Sequence, residues 1–128
     1  MKLLLDTHAW LWFVLGDDSL TPVARKLIED PTNDILISPV AYWEMAIKIS
    51  IGKYQLAEPF EQFIASAIEG HGFEILPILP QHATALISLP FHHRDPFDRL
   101  LVAQALTERL PLLSADSALD AYGVQRLW

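Results

Sequence analysis

The sequence predicts an α/β fold built on a mainly parallel sheet of about five strands, and three observations lead there. Leu3-Leu4-Leu5 and Ile35-Leu36-Ile37 are short continuous apolar runs, the pattern of strands covered on both faces rather than one. Each is followed within two residues by a helix-capping residue, and the same strand-then-helix order recurs along the chain, which implies βαβ crossovers. With 128 residues and no internal repeat, low-complexity tract or linker, the chain reads as one domain over 1–128.

In order, Lys2 to Leu5 forms the first strand. His8 to Leu15 carries Trp10, Leu11, Trp12, Phe13 and Val14, too apolar for a solvent-facing helix, and is expected to pack against something. Gly16-Asp17-Asp18 breaks it. Thr21-Pro22 then opens a helix to about Asp30, with Thr21 as N-cap and proline at the first helical position. Ile35 to Ile37 is the second strand, and Ser38-Pro39 repeats the signal for a helix from Pro39 to about Ser50. Further helices are predicted over Pro59–Glu69 and Gln81–Ser88, with a third strand at Phe73–Leu76 between them. Asp95-Pro96 opens the most regular helix, Pro96 to about Arg109. Leu112-Leu113 is a fourth strand, Ser117–Ala121 a turn or two of helix, and Val124–Leu127 a fifth strand.

Composition narrows the function classes. Hydrophobic residues make up 52% and mean hydropathy is +0.25, yet no apolar run approaches the roughly 18 residues of a membrane span. The apolar surplus therefore suggests a protein interface. Asp6 interrupts the first apolar run too early for a signal peptide, so a cytoplasmic location is expected. There is no cysteine, which removes disulfides and thiolate zinc sites and leaves oxygen or imidazole as metal ligands. A net charge of −7 argues against a global basic field that grips nucleic acid, but not against a nuclease whose clustered acids are offset by bound cations.

Four acids carry the chemistry. Asp6 and Asp116 follow separate strands, Asp98 lies in the first turn of the helix after Asp95-Pro96, and Glu44 is a turn into the helix after the second strand. In a parallel sheet these positions converge on the edge where ligands bind. Taken singly, Asp6, Asp116 and especially Asp95 could each be a helix cap, and Asp98 could serve the helix dipole. Glu44 is mid-helix, so capping does not account for it; an i, i+4 pair with Lys48 is its simplest structural role. Together, four carboxylates at one edge would repel one another, and a hard divalent cation, Mg2+ or Mn2+, removes that penalty.

The stretches Leu3-Leu4-Leu5-Asp6-Thr7-His8-Ala9, Ser38-Pro39-Val40-Ala41-Tyr42-Trp43-Glu44, His93-Arg94-Asp95-Pro96-Phe97-Asp98-Arg99-Leu100-Leu101 and Leu113-Ser114-Ala115-Asp116 resemble PIN-domain proteins, most closely the VapC-like toxins of bacterial toxin–antitoxin operons. The match spans essentially the whole chain in the family's order. It implies a PIN-like three-layer α/β/α fold, a magnesium- or manganese-dependent ribonuclease, a homodimer and a cognate antitoxin. By position, Asp6, Glu44 and Asp98 match the core acidic triad and Asp116 the fourth acid. Thr7 and Ser114 resemble hydroxyl positions beside the metal, and Asp95 is common in this subgroup without an assigned role. Metal-activated water would attack the RNA phosphate and leave a 5′-phosphate and a 3′-hydroxyl.

Lys48, His93, Arg94 and Arg99 are the candidate phosphate contacts, while His8 is expected to pack beside the strand end. Trp10, Trp12, Phe13, Tyr42 and Trp43 divide among core, a stacking surface for unpaired bases and a partner interface. Two other classes compete. A receiver domain or a haloacid-dehalogenase-type phosphatase also sets acids around magnesium. The former needs an acid after the third strand, where this chain has Leu76-Pro77-Ile78-Leu79-Pro80; the latter needs a second Asp at the position of His8. A non-catalytic α/β binding module, with every acid a cap, predicts no metal binding.

Overall fold

The computed structural model describes residues 1–128. Five strands, β1 (Lys2–Leu5), β2 (Asp34–Ile37), β3 (Glu74–Ile75), β4 (Leu112–Leu113) and β5 (Arg126–Leu127), form one sheet in the order β3-β2-β1-β4-β5. Every pairing is parallel, and Leu5 is in register with Ile37 on one side and Leu113 on the other. Six α-helices connect them: α1 (Thr7–Leu15), α2 (Pro22–Glu29), α3 (Pro39–Ser50), α4 (Phe60–Ile68), α5 (Pro80–Ser88) and α6 (Pro96–Glu108). A 3₁₀ segment, Ser117–Tyr122, takes the place of the last predicted helix.

Alternation along the strands divides the core in two. Leu3, Leu5, Ile35, Ile37 and Leu113 point to the side covered by α1, α2 and α4, where Trp10, Ala24, Ile28, Phe63 and Ala67 are buried. Leu4, Leu36 and Leu112 point the other way, onto Leu101, Val102 and Ala105 of α6 and onto Leu119. Helices on both faces make this the three-layer α/β/α arrangement. The middle strands β1, β2 and β4 bury their apolar runs, whereas β3 at the edge is exposed and shorter than the predicted Phe73–Leu76.

The segment 8–15 is the apolar helix α1, packed as expected. Trp10 is fully buried, and its indole N–H donates to the Ala67 carbonyl at 3.0 Å, fastening α1 to α4. The caps fall where the sequence set them: Thr21 accepts from the Ala24 amide at 3.1 Å and Ser38 from the Val40 amide at 3.2 Å. On α5, His82 is fully buried; its Nδ1 accepts from the Leu79 amide and its Nε2 meets Glu108 of α6 at 2.8 Å.

Strand order reverses direction between β1 and β4, since the chain winds outward from β1 through β2 and β3, then from β4 to β5 on the opposite side. In parallel sheets the loops leaving two such strands part to opposite faces and open a crevice at the strands' C-terminal ends. The residues that follow those two ends are Asp6 and Ser114-Ala115-Asp116.

Candidate metal centre

Asp6 directly follows β1 and caps α1, one carboxylate oxygen accepting from the Ala9 amide at 2.8 Å. Asp116 does the same for the segment after β4, with Oδ1 accepting from Ala118 at 3.0 Å. Ser114 stands beside both: its side chain acts to lower the Asp6 carboxyl, and its oxygen accepts the Asp116 amide at 3.1 Å. Asp95 caps α6 by accepting from the amides of Phe97 and Asp98 at 2.8 and 3.2 Å, which sets Asp98 in the first turn. Capping and site formation are therefore not alternatives. For Asp6 and Asp116 the cap engages one oxygen and leaves the other, Asp116 Oδ2 facing His93, whereas Asp95 takes both amides on one oxygen.

Asp6, Asp98 and Asp116 line one open cavity of about 320 Å³, together with His8, Trp12 and Ala115. Glu44 lies just off this wall, buried on α3 beside Val40, Ala41 and Met45, with Ile47, Ile51 and Trp43 turned outward. Thr7 Oγ1 donates to its Oε1 at 2.9 Å, and Lys48 Nζ sits 3.1 Å from its Oε2. So the i, i+4 pair and the burial occur together.

Charge repulsion shows in the acids' titration. Burial pushes the Asp98 carboxyl up to about 7, and the nearby charges of Asp95, Asp6 and Glu44 add to the rise, with His93 acting against it. Burial likewise raises Asp6, opposed by the Ser114 side chain and the Ala9 amide and aided by Asp116. Asp98 thus feels the charges of Asp6 and Glu44 from two other segments, and Asp6 that of Asp116, on top of the larger effect of burial.

His93 is the residue whose position the sequence assigned differently. Instead of lying free as a phosphate contact, its Nε2 is 3.1 Å from Asp116 Oδ2 and 3.7 Å from Asp98 Oδ2. Its Nδ1 accepts the Asp95 amide at 3.1 Å, so the hydrogen-bond network assigns the ring proton to Nε2, donated to Asp116. Arg99 is also placed otherwise. It is buried, one terminal nitrogen donating to the Leu89 carbonyl at 3.1 Å and the guanidinium stacked 4.0 Å from the Phe91 ring, so it anchors the 89–95 segment rather than facing a ligand. Lys48 is half-exposed and Arg94 exposed. His8 is exposed on the cavity rim instead of packed beside the strand, and Trp12 lines the same wall. Their i, i+4 spacing on a helix that starts at Asp6 was the signal for both.

The donor set fits a hard divalent cation. Carboxylate oxygens of Asp98 and Asp116 lie within 4.8 Å of each other and of a His93 ring nitrogen, which as an N–H donor to Asp116 orients the site rather than ligating, and Asp6 lines the same cavity. A cavity walled by mutually destabilised carboxylates is what a cation compensates, and oxygen donors favour Mg2+ or Mn2+.

A parallel sheet with an acidic centre at its topological switch point defines a class of metal-site α/β domains. The chain belongs to the PIN domain family, whose model matches residues 3–125. PIN domains are generally divalent-metal-dependent nucleases. In fold the chain is similar to a chain of VapBC2 from Rickettsia felis bound to a promoter DNA fragment, with TM-score 0.72, 16% identity, and coverage of 100% of this chain and 99% of that one. VapBC-1 from nontypeable Haemophilus influenzae gives 0.67 and 16%, covering 99% and 97%. VapBC-5 from Mycobacterium tuberculosis gives 0.61 and 17%, covering 98% and 95%. At these identities the likeness is one of fold. Comparison with curated protein sequences gave no significant match. No helix is long and apolar enough to cross a membrane.

Proposed function

We propose that this chain is a divalent-metal-dependent endoribonuclease, the toxin of a type II toxin–antitoxin pair acting in the cytoplasm. The observation that carries the reading is the single cavity walled by Asp6, Asp98 and Asp116, with the Asp98 carboxyl held at about 7 by burial and by its acidic neighbours. Asp6, Glu44 and Asp98 would hold the principal cation, with Asp116 holding a second ion or the attacking water; Asp6, Asp98 and Asp116 line the cavity and Glu44 acts on Asp98 through its charge. A divalent cation bound there supplies an activated water and neutralises charge on the phosphate in flight.

The chain's own groups set that chemistry up. Thr7 and Lys48 fix the Glu44 carboxylate, Ser114 stands beside Asp6 and Asp116, and Asp95 fixes the first turn that carries Asp98. His93 holds a proton at Nε2 against Asp116 and so orients that carboxylate. Arg94, exposed beside it, is the basic group for substrate phosphate, with Lys48 on the other flank. Products carry a 5′-phosphate and a 3′-hydroxyl.

Two partners follow. Pro39, Tyr42, Trp43, Phe97 and Leu100 line an apolar groove of about 580 Å³ between α3 and α6, with Trp43 63% exposed, a surface suited to a homodimer. A cognate antitoxin would block the site, a reading supported by the toxin–antitoxin complexes among the fold's neighbours.

The test compares the wild type with Asp6→Asn for Mn2+ binding and for cleavage of total cellular RNA, with end-group analysis. Asparagine is as good an N-cap as aspartate, so the substitution keeps the helix start and removes only the charge. Cleavage should fall more than about 100-fold, beyond what loss of an outer-shell partner typically causes. Equal cleavage by both proteins, or cyclic phosphate ends, would refute the proposal.

A further inference from the structure

Besides the three carboxylates and Ala115, the wall of the acidic cavity is made of two rings, His8 and Trp12. The same two residues line a neighbouring cavity of about 210 Å³, whose other side carries Met45, Lys48 and Tyr54. They are thus the partition between the acids and an adjoining groove. Trp12 stands 5.5 Å from the His8 ring, centroid to centroid, and 5.9 Å from Trp128, forming a short aromatic strip at the cavity mouth. Trp10 is the fully buried tryptophan of α1, whereas Trp12 and Trp128 pack at the margin of the core and stay partly open to solvent.

We propose that Trp12, edged by His8, is the stacking platform for the RNA base next to the scissile phosphate, with the strand continuing over the adjoining groove toward Lys48. This rests on the ribonuclease reading above. A nucleotide has one part for each wall of the cavity: a phosphate for the cation held at the acidic wall, and a flat ring for Trp12. Lys48, half-exposed at the far side of the partition, is paired with Glu44 at 3.1 Å and has two further ammonium protons for a neighbouring phosphate. Because every base has a π-face, the contact fixes an unpaired base without selecting its identity. It therefore demands a single-stranded segment at the cut.

The experiment uses Asp98→Asn protein as a cleavage-silent background in Mn2+, with fluorescein-labelled oligoribonucleotides read by anisotropy. A single abasic position is walked along the oligonucleotide. Trp12→Ala on this background should weaken binding about 5- to 100-fold, the range for one lost base stack, while Trp12→Phe stays within about 3-fold. One abasic position should weaken the parent by a factor like that of Trp12→Ala and have no further effect on the alanine variant. The abasic walk reads the contact on unaltered Trp12, so a poorly folded alanine variant does not decide the matter. Equal affinity of parent and Trp12→Ala, with the same abasic profile, overturns the proposal and assigns the aromatic strip to a protein partner while leaving the nuclease reading intact. Failure of the wild type to cleave RNA and of the parent to bind it overturns both.

Discussion

Asp98→Asn tests whether the acids share a centre or merely finish their own helices. In the folded chain the Asp98 carboxyl is pushed to about 7 from an ordinary 3.8. That difference corresponds to about 4 kcal/mol against its charged form. A quarter of the side chain is open to solvent, so screening reduces the expectation to about 1–2 kcal/mol. Because the folded pKa is raised, the proton favours the folded state: stability from this group is fully present below about pH 4 and is lost as pH rises to 7. Metal-free Asp98→Asn should therefore melt about 4–8 °C above the wild type at pH 8, and the gap should shrink to roughly 40% of that at pH 5. Saturating Mn2+ should reverse the order. At 100 times Kd a bound ion adds about 2.7 kcal/mol to the wild type, and the variant should gain less than half of that. Thermal unfolding by circular dichroism in EDTA and in Mn2+, at both pH values, is the assay. If Asp98 served only the helix dipole, the variant would instead lose about 0.3–1 kcal/mol in EDTA at pH 8. That loss, or an equal gain from Mn2+ in both proteins, would refute the reasoning.

Three further outcomes are expected. Removing His93 (His93→Ala) should weaken Mn2+ affinity about 10-fold in titration calorimetry by freeing Asp116, and His93→Gln, which can still donate, should recover most of it. Glu108→Ala should cost about 1–3 kcal/mol in denaturant unfolding, because it strands the buried His82 Nε2, yet leave RNA cleavage unchanged. Trp10→Phe should also cost about 1–3 kcal/mol, since the Ala67 carbonyl loses its only side-chain donor inside the core; an unchanged unfolding midpoint would show that bond to be dispensable.

Local chemistry wrote much of the fold into the chain. Leu3-Leu4-Leu5 and Ile35-Leu36-Ile37 announce central strands because both faces of a parallel sheet are covered. Thr21-Pro22, Ser38-Pro39 and Asp95-Pro96 announce helix starts because an unpaired amide needs a side-chain oxygen and the first helical position tolerates proline. The edge strand β3 was legible too, at Phe73–Leu76, although only Glu74–Ile75 of it pairs and both residues are exposed.

The acids divide along the same line. Asp6, Glu44, Asp98 and Asp116 could be read as a set from their places after strands and near helix starts, since topology alone sends those ends to one side; that Glu44 stands off the cavity wall the other three line could not. What each side chain touches there could not be read, because it depends on residues distant in sequence. His93 looked like part of a basic loop until folding set it between Asp98 and Asp116, and Arg99 looked like a ligand for phosphate until Leu89 and Phe91 enclosed it. Backbone hydrogen bonding and apolar periodicity act over a few residues, so they survive in the one-dimensional string. Burial and repulsion between charges act through space, so the raised Asp98 carboxyl and the aromatic wall beside it exist only once the strands have paired.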